Sequence, residues 1–139
     1  MLLHAIALYA TAILLGAMLF FSFVVTPVVF RTLDGEPASR FLRALFPLYY
    51  LVIIVLGAIA ALMLVLVAQP MAAAAMAVTA ALAVLTRQGL IPQLDALRAG
   101  RAAGEAVATQ RFRRLHGLSM VINLAQMLAV AAVLSIFVL

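Results

Sequence analysis

"ALFPLYYLVIIVLGAIAALMLVLVAQPMAAAAMAVTAALAVLT", Ala44 to Thr86, contains no charged side chain. A helix needs roughly 20 apolar residues to cross the hydrocarbon core of a bilayer. This run is long enough for two crossings, and its polar interruption is Gln69-Pro70. So short a connection forces an antiparallel hairpin, and Pro70 suits the first position of a helix because its missing N–H would be unpaired there anyway. The two spans read as about 45–68 and 71–88.

Outward from the hairpin, two more apolar stretches have the length of a span, about 2–30 and 117–139. The expectation is a single domain over residues 1–139. Its fold class is all-α, an integral membrane antiparallel four-helix bundle. With 69% hydrophobic and 9% charged residues, the chain is far more apolar than a soluble domain. Met1 to Val25 lacks a basic start and a small-residue cleavage site, so it reads as a retained first span rather than a signal peptide. The third span is crowded with alanine, and Ala12/Gly16 and Ala125/Ala129 make small-residue pairs at spacing four, features that let helices approach closely.

Charge gathers in two windows where the chain leaves the hydrocarbon, because charge at the bilayer centre is costly. Arg31, Asp34, Glu36, Arg40 and Arg43 form the first, and the second runs from Arg87 to Arg114. Both lie in connections on the same side. The positive-inside rule makes that side cytoplasmic and puts both termini and the Gln69-Pro70 turn outside. In the second connection the sequence suggests a start at Pro92, a short interfacial helix over 94–98, a break near 100–104 and a new helix from about Glu105. All basic residues are arginine, which fits a GC-rich bacterial genome and hence a bacterial inner membrane. The net charge of +5 sits beside the spans, so anionic lipid headgroups, not nucleic acid, are the expected partner.

The fourth span carries His116, Ser119, Asn123 and Gln126 at spacings that place them on one helical face. Polar groups at membrane depth need partners. Two readings follow: hydrogen bonds that set helix register, or a polar pocket open to the cytoplasm. Ser22 and Thr26 on the first span and Arg87 beside Thr86 on the third are candidate neighbours. Antiparallel threading brings Arg31, Arg87 and His116 to one level, a cluster suited to an anion. The candidate ligand-binding set is therefore Arg31, Arg87, His116, Ser119, Asn123, Gln126, Ser22 and Thr26. Arg98 and Arg101 read as side chains that merely reach toward the interface.

The absence of cysteine excludes disulfides and thiolate metal sites. His4 and His116 fall at opposite faces of the membrane, roughly 30 Å apart, so one metal or haem cannot take both within a subunit. A haem or copper site using one histidine with methionine, such as Met120 or Met127, stays open. There is no nucleophile-base set, no Gly-rich phosphate loop and no intramembrane acid. The chain therefore reads as a binder or mover of a small molecule, anion or lipid rather than an enzyme. The alternatives are a haem- or metal-binding membrane oxidoreductase and an accessory subunit of a larger complex. Transport through four spans would need a homo-oligomer.

The runs "VVTPVVFRTL" (Val24–Leu33), "LFPLYY" (Leu45–Tyr50) and "RLHGLSMVINL" (Arg114–Leu124) together resemble the transmembrane-protein-205-like family, domain of unknown function number 4149. The resemblance implies a four-span membrane protein. It matches Pro27, Phe30 and Arg31 to the end of the first span, Phe46, Pro47 and Tyr49 to the start of the second, and His116, Ser119 and Asn123 to the fourth. The family's Asn-Pro after the third span is Ile91-Pro92 here.

Overall fold

The computed structural model describes every residue from Met1 to Leu139. Four helices, α1 (Leu2–Thr32), α2 (Glu36–Leu66), α3 (Pro70–Ala102) and α4 (Ala106–Ser135), are each long and apolar enough to cross a membrane. At 1.5 Å per residue each is about 45 Å long, more than the roughly 30 Å hydrocarbon core, so their ends project beyond it. Each helix packs on its chain neighbours, and α4 closes the ring on α1, giving an up-down-up-down multi-pass bundle. The core follows the helical period: Ala7, Ala10, Leu14 and Met18 on α1 meet Ile53, Ala60 and Leu64 on α2, Ala72, Met76 and Ala83 on α3, and Met127, Val130 and Val133 on α4. Large apolar side chains such as Phe23, Val78, Leu85, Val121 and Leu128 stay exposed, as the outer surface of a bundle in lipid requires.

The helices run further than the apolar stretches suggest. α2 begins at Glu36, directly after a turn through Gly35, and α3 does not end before Pro92. A proline inside a helix removes one hydrogen bond and clashes with the preceding turn. α3 absorbs this with a widened π turn over Thr86–Leu90, in which the Ile91 N–H reaches back to the Thr86 carbonyl. α1 uses the same device before Pro27: a π turn over Phe21–Val25 brings the Thr26 N–H to the Phe21 carbonyl, and Thr26 Oγ1 donates to that oxygen as well at 3.0 Å. Both widened turns immediately precede an X-Pro pair, which accounts for their position. Because α3 is continuous to Ala102, there is no separate interfacial helix at 94–98, and the break falls at Ala103–Glu105.

Two helix ends share one hydrogen-bond pattern. At the end of α3, Gly104 has φ +79, its N–H bonds the Arg101 carbonyl, and the Glu105 N–H bonds the Gly100 carbonyl. At the end of α2, Ala68 has φ +57, its N–H bonds the Val65 carbonyl, and the Gln69 N–H bonds the Leu64 carbonyl. Both are Schellman ends, which favour glycine at the left-handed position. Ala68→Gly is therefore expected to stabilise the protein by about 1 kcal/mol, since the left-handed region costs a Cβ-bearing residue roughly that much. Thermal unfolding in mild detergent checks this; an unchanged or lower Tm would contradict it.

Gly57 of α2 packs closely against α3, where a Cβ would lie 3.2 Å from Ala80 Cβ, and Gly100 near the end of α3 packs more closely still on α4, where a Cβ would lie 2.8 Å from Ala108 Cβ. The Ala12/Gly16 pair makes no such seam: a Cβ at Gly16 would meet nothing within 4 Å.

Candidate functional site

The site lies at the arginine-rich end of the bundle and is framed by aromatic side chains. Phe21, at the π turn of α1, stacks on Tyr49 of α2 with centroids 4.0 Å apart, and Phe46 meets Phe21 edge-on at 5.4 Å. Tyr49 and Tyr50 are adjacent on α2 and pack edge to face at 5.3 Å. Such pairs fix ring positions beyond simple area burial.

Two cavities meet at this frame. An upper one of about 420 Å³ is lined by Ser39 and Arg43 of α2, Asp95, Arg98 and Arg101 of α3, and Phe112 of α4, among others. A lower groove of about 490 Å³ lies between α1 and α4, with Ser22, Thr26, Tyr49, Met120, Asn123, Leu124 and Met127 on its walls. Phe30, Phe46, Tyr50, His116 and Ser119 line both and form the neck between them.

The upper cavity is cationic, and its charges are held in place. Arg98 Nε donates to Asp95 Oδ1 at 2.9 Å, and Arg98 Nη1 donates to Ser39 Oγ at 2.9 Å, tying α3 to the start of α2. Arg43 pairs with Glu36 at 2.9 Å on the exposed side of α2. Arg101 makes no ion pair; its guanidinium sits 4.4 Å above the Phe112 ring, with Arg98 5.5 Å from the same ring. His116, one turn further along α4, stacks on Phe112 at 6.1 Å. A guanidinium over an aromatic face gains about 0.5–1 kcal/mol and leaves its edge N–H groups for another acceptor.

The residues singled out in the sequence divide between several places. His116 and Ser119 line both cavities, and Ser119 Oγ donates to the His116 carbonyl at 2.7 Å. Asn123 lines the lower groove and bridges three helices. It accepts from the Tyr49 hydroxyl at 2.6 Å and donates to Ser22 Oγ at 3.1 Å. Ser22 and Thr26 line the same groove. Arg31, Arg87 and Gln126 line neither cavity. Arg31 is exposed at the end of α1. Arg87 Nε donates instead to the Pro47 carbonyl at 3.1 Å across the α2–α3 seam. Gln126 is 1% exposed, and its Nε2 donates to the Thr79 carbonyl at 2.8 Å on α3, while its Oε1 has no partner. The stripe on α4 thus divides, lining the cavities at one end and hydrogen-bonding to α3 at the other. In place of Arg31 and Arg87, the arginines at the cavity are Arg43, Arg98 and Arg101.

His4 sits in the first turn of α1, while His116 shares a cavity with Phe30 near that helix's other end, about 35–40 Å away along the axis. No three His, Cys, Asp or Glu side chains come together in a group suited to a metal ion. Met18 and Met76 are fully buried core, whereas Met120 and Met127 line the lower groove.

Fold and site together define a small four-helix, multi-pass membrane protein with an arginine-lined cavity at one end. Residues 9–103, reaching from α1 to just past the end of α3, match the family described as Domain of unknown function (DUF4149), and the chain belongs to that family. The match stops before α4, so the His116–Gln126 stripe lies outside it. No curated protein and no solved structure matches the chain.

Proposed function

We propose that this protein binds, or moves, a small anionic molecule in the upper cavity. The observation that supports it best is Arg101, which lines the cavity, is oriented by Phe112 and has no carboxylate partner. Arginine presents a planar fork of donors matched to phosphate and carboxylate oxygens, and charge-assisted bonds of this kind are about twice as strong as neutral ones. Arg98 adds a second guanidinium, already oriented by Asp95 and Ser39. We place the arginine-rich end in the cytoplasm, by the positive-inside rule, and the protein in a bacterial inner membrane, with the anionic lipid headgroups around it as bulk counter-charge. The three runs that resemble transmembrane-protein-205-like proteins support placing it near them within its family. Movement across the bilayer, as opposed to binding, would use a homo-oligomer, because four helices enclose too thin a path.

Titration of the protein in mild detergent with inorganic phosphate and with acetate tests the proposal. Arg101→Gln is expected to weaken binding of the preferred anion about ten-fold, the effect of losing one charged hydrogen-bond pair. Arg31→Gln, altering an exposed side chain outside both cavities, is expected to leave it unchanged. Equal binding by Arg101→Gln and the unaltered protein, or no binding of either anion, would refute it.

A further inference from the structure

The lower groove gives the upper cavity a second half that a small inorganic anion does not need. We infer that the ligand is an anionic glycerophospholipid. Its phosphate sits between Arg98 and Arg101, and an acyl chain passes the neck at Phe46 and Tyr50 into the groove between α1 and α4. This rests on the anion-binding reading of the upper cavity and names the ligand class.

Three observations carry the inference. First, polarity changes sharply across the neck. Above it are Arg98, Arg101 and Asp95; below it, the walls are mainly Phe23, Met120, Val121, Leu124 and Met127. A free phosphate or a sugar phosphate has nothing to place against that surface, whereas an amphiphile matches both parts. Second, the groove is open at its side. Phe23 is 65% exposed, Val121 65% and Leu124 52%, so the rim faces the hydrocarbon and a chain could enter from the bilayer without crossing water. Third, the length fits one leaflet. From Phe30 to Phe21 on α1 and from His116 to Met127 on α4 the groove spans about 14–16 Å along the helix axes, half of the roughly 30 Å hydrocarbon core. The headgroup then lies at the arginine-rich end, where phosphates of that leaflet sit.

The polar groups in the groove do not oppose an acyl chain, because they are largely satisfied within the protein. Asn123 is engaged by Tyr49 and Ser22, and the Thr26 hydroxyl donates to the Phe21 carbonyl. The Asn123 and Thr26 hydrogen bonds are thus closed within the protein, while the Tyr50 hydroxyl and the His116 ring lie at the neck, on the headgroup side.

The test uses the full chain reconstituted in vesicles of equal phosphatidylglycerol and phosphatidylcholine with identical acyl chains. The protein is extracted in mild detergent and its retained lipid is counted by native mass spectrometry. Phosphatidylglycerol is expected to be retained about ten-fold over phosphatidylcholine. The Arg98→Gln/Arg101→Gln double variant should bring the two lipids to parity. Leu124→Trp, which fills the groove from an exposed position, should abolish retention while leaving the titration with inorganic phosphate unchanged; Met120→Trp is the second groove variant, and circular dichroism confirms that each is folded. Equal retention of both lipids by the unaltered protein, or full retention by both groove variants, would overturn the lipid assignment while leaving phosphate binding to judge the anion site separately. Loss of phosphate binding in the arginine variants with lipid retention intact would likewise overturn it. If the unaltered protein binds neither lipid nor phosphate, both readings fall together.

Discussion

Asn123→Ala is expected to destabilise the protein by about 2–3 kcal/mol, because the side chain joins α4 to two other helices at once. Its Oδ1 takes the Tyr49 proton at 2.6 Å and its Nδ2 donates to Ser22 at 3.1 Å. Interhelical hydrogen bonds in membranes are modest, about 0.6–1.7 kcal/mol each, since the separated helices also find partners. The larger part of the cost comes from Tyr49. Its ring is 7% exposed, stacked on Phe21 and packed edge to face on Tyr50, so the hydroxyl is held in place, and once the amide is gone the Ser22 hydroxyl beside it is the acceptor left to it. A fully stranded buried donor costs about 1–3 kcal/mol, and a donor left with this poorer partner costs toward the lower end of that range. Thermal unfolding in detergent should show a fall in Tm on the order of 5–10 °C. The double-mutant cycle with Tyr49→Phe separates the two contributions: the double variant should be scarcely less stable than Asn123→Ala alone, because removing the hydroxyl removes the donor that lost its better acceptor. Strict additivity of the two changes would show that the bond between them contributes nothing.

The bundle was legible in the sequence because it is governed by length and polarity. Ala44–Thr86 could only be two spans, and Gln69-Pro70 could only be a tight turn with α3 starting on Pro70. The small-residue pairs were less informative: Gly16 touches nothing, while Gly57 makes a close approach. Spacing alone does not say which face of a helix meets a neighbour.

The site was half legible. His116, Ser119, Asn123 and Gln126 do form a stripe, but ten residues of a helix at about 100° each leave its two ends about 80° apart around the axis. That drift turns His116 toward the cavities and Gln126 toward Thr79 on α3. The arginines that line the cavity differ from those the sequence singled out, for a different reason. Pro92 reads as the start of the connection, and once α3 is cut before it, Arg98 falls at the end of a short separate interfacial helix and Arg101 in the break after it. The π turn at Thr86–Leu90 carries the helix through, and with it both guanidinium groups to the cavity. A signal was present: Leu90, Leu94 and Leu97 keep the helical spacing straight across Pro92, and Leu90 and Leu94 are buried together against Phe112. Arg43 and Tyr50 carried no comparable signal, and Phe46 and Tyr49 were marked by the family resemblance alone, since an aromatic run at the start of a span is as readily an interfacial belt.

Gly57→Leu is expected to be the most damaging single change in the apolar part of the bundle, and to disturb the cavity from a distance. Gly57 faces α3 directly; a Cβ there would already lie 3.2 Å from Ala80 Cβ and 3.5 Å from the Met76 carbonyl oxygen. Those atoms belong to the helix wall and cannot swing aside as a long side chain could. Gly57→Ala should be nearly neutral, because the gain in helix propensity, about 1 kcal/mol, offsets a contact a few tenths of an ångström too tight. A leucine has no rotamer that avoids α3, and overpacking of this kind costs about 3 kcal/mol. The bundle can yield only by spreading α2 from α3, and the same two helices hold the Ser39–Arg98 hydrogen bond at the cavity. Gly57→Leu should therefore lower both Tm and anion binding, whereas Gly57→Ala preserves both. The pair of measurements is decisive: if the leucine variant unfolds at the same temperature as the alanine variant, the α2–α3 seam is not the rigid element that sets the spacing of the cavity walls.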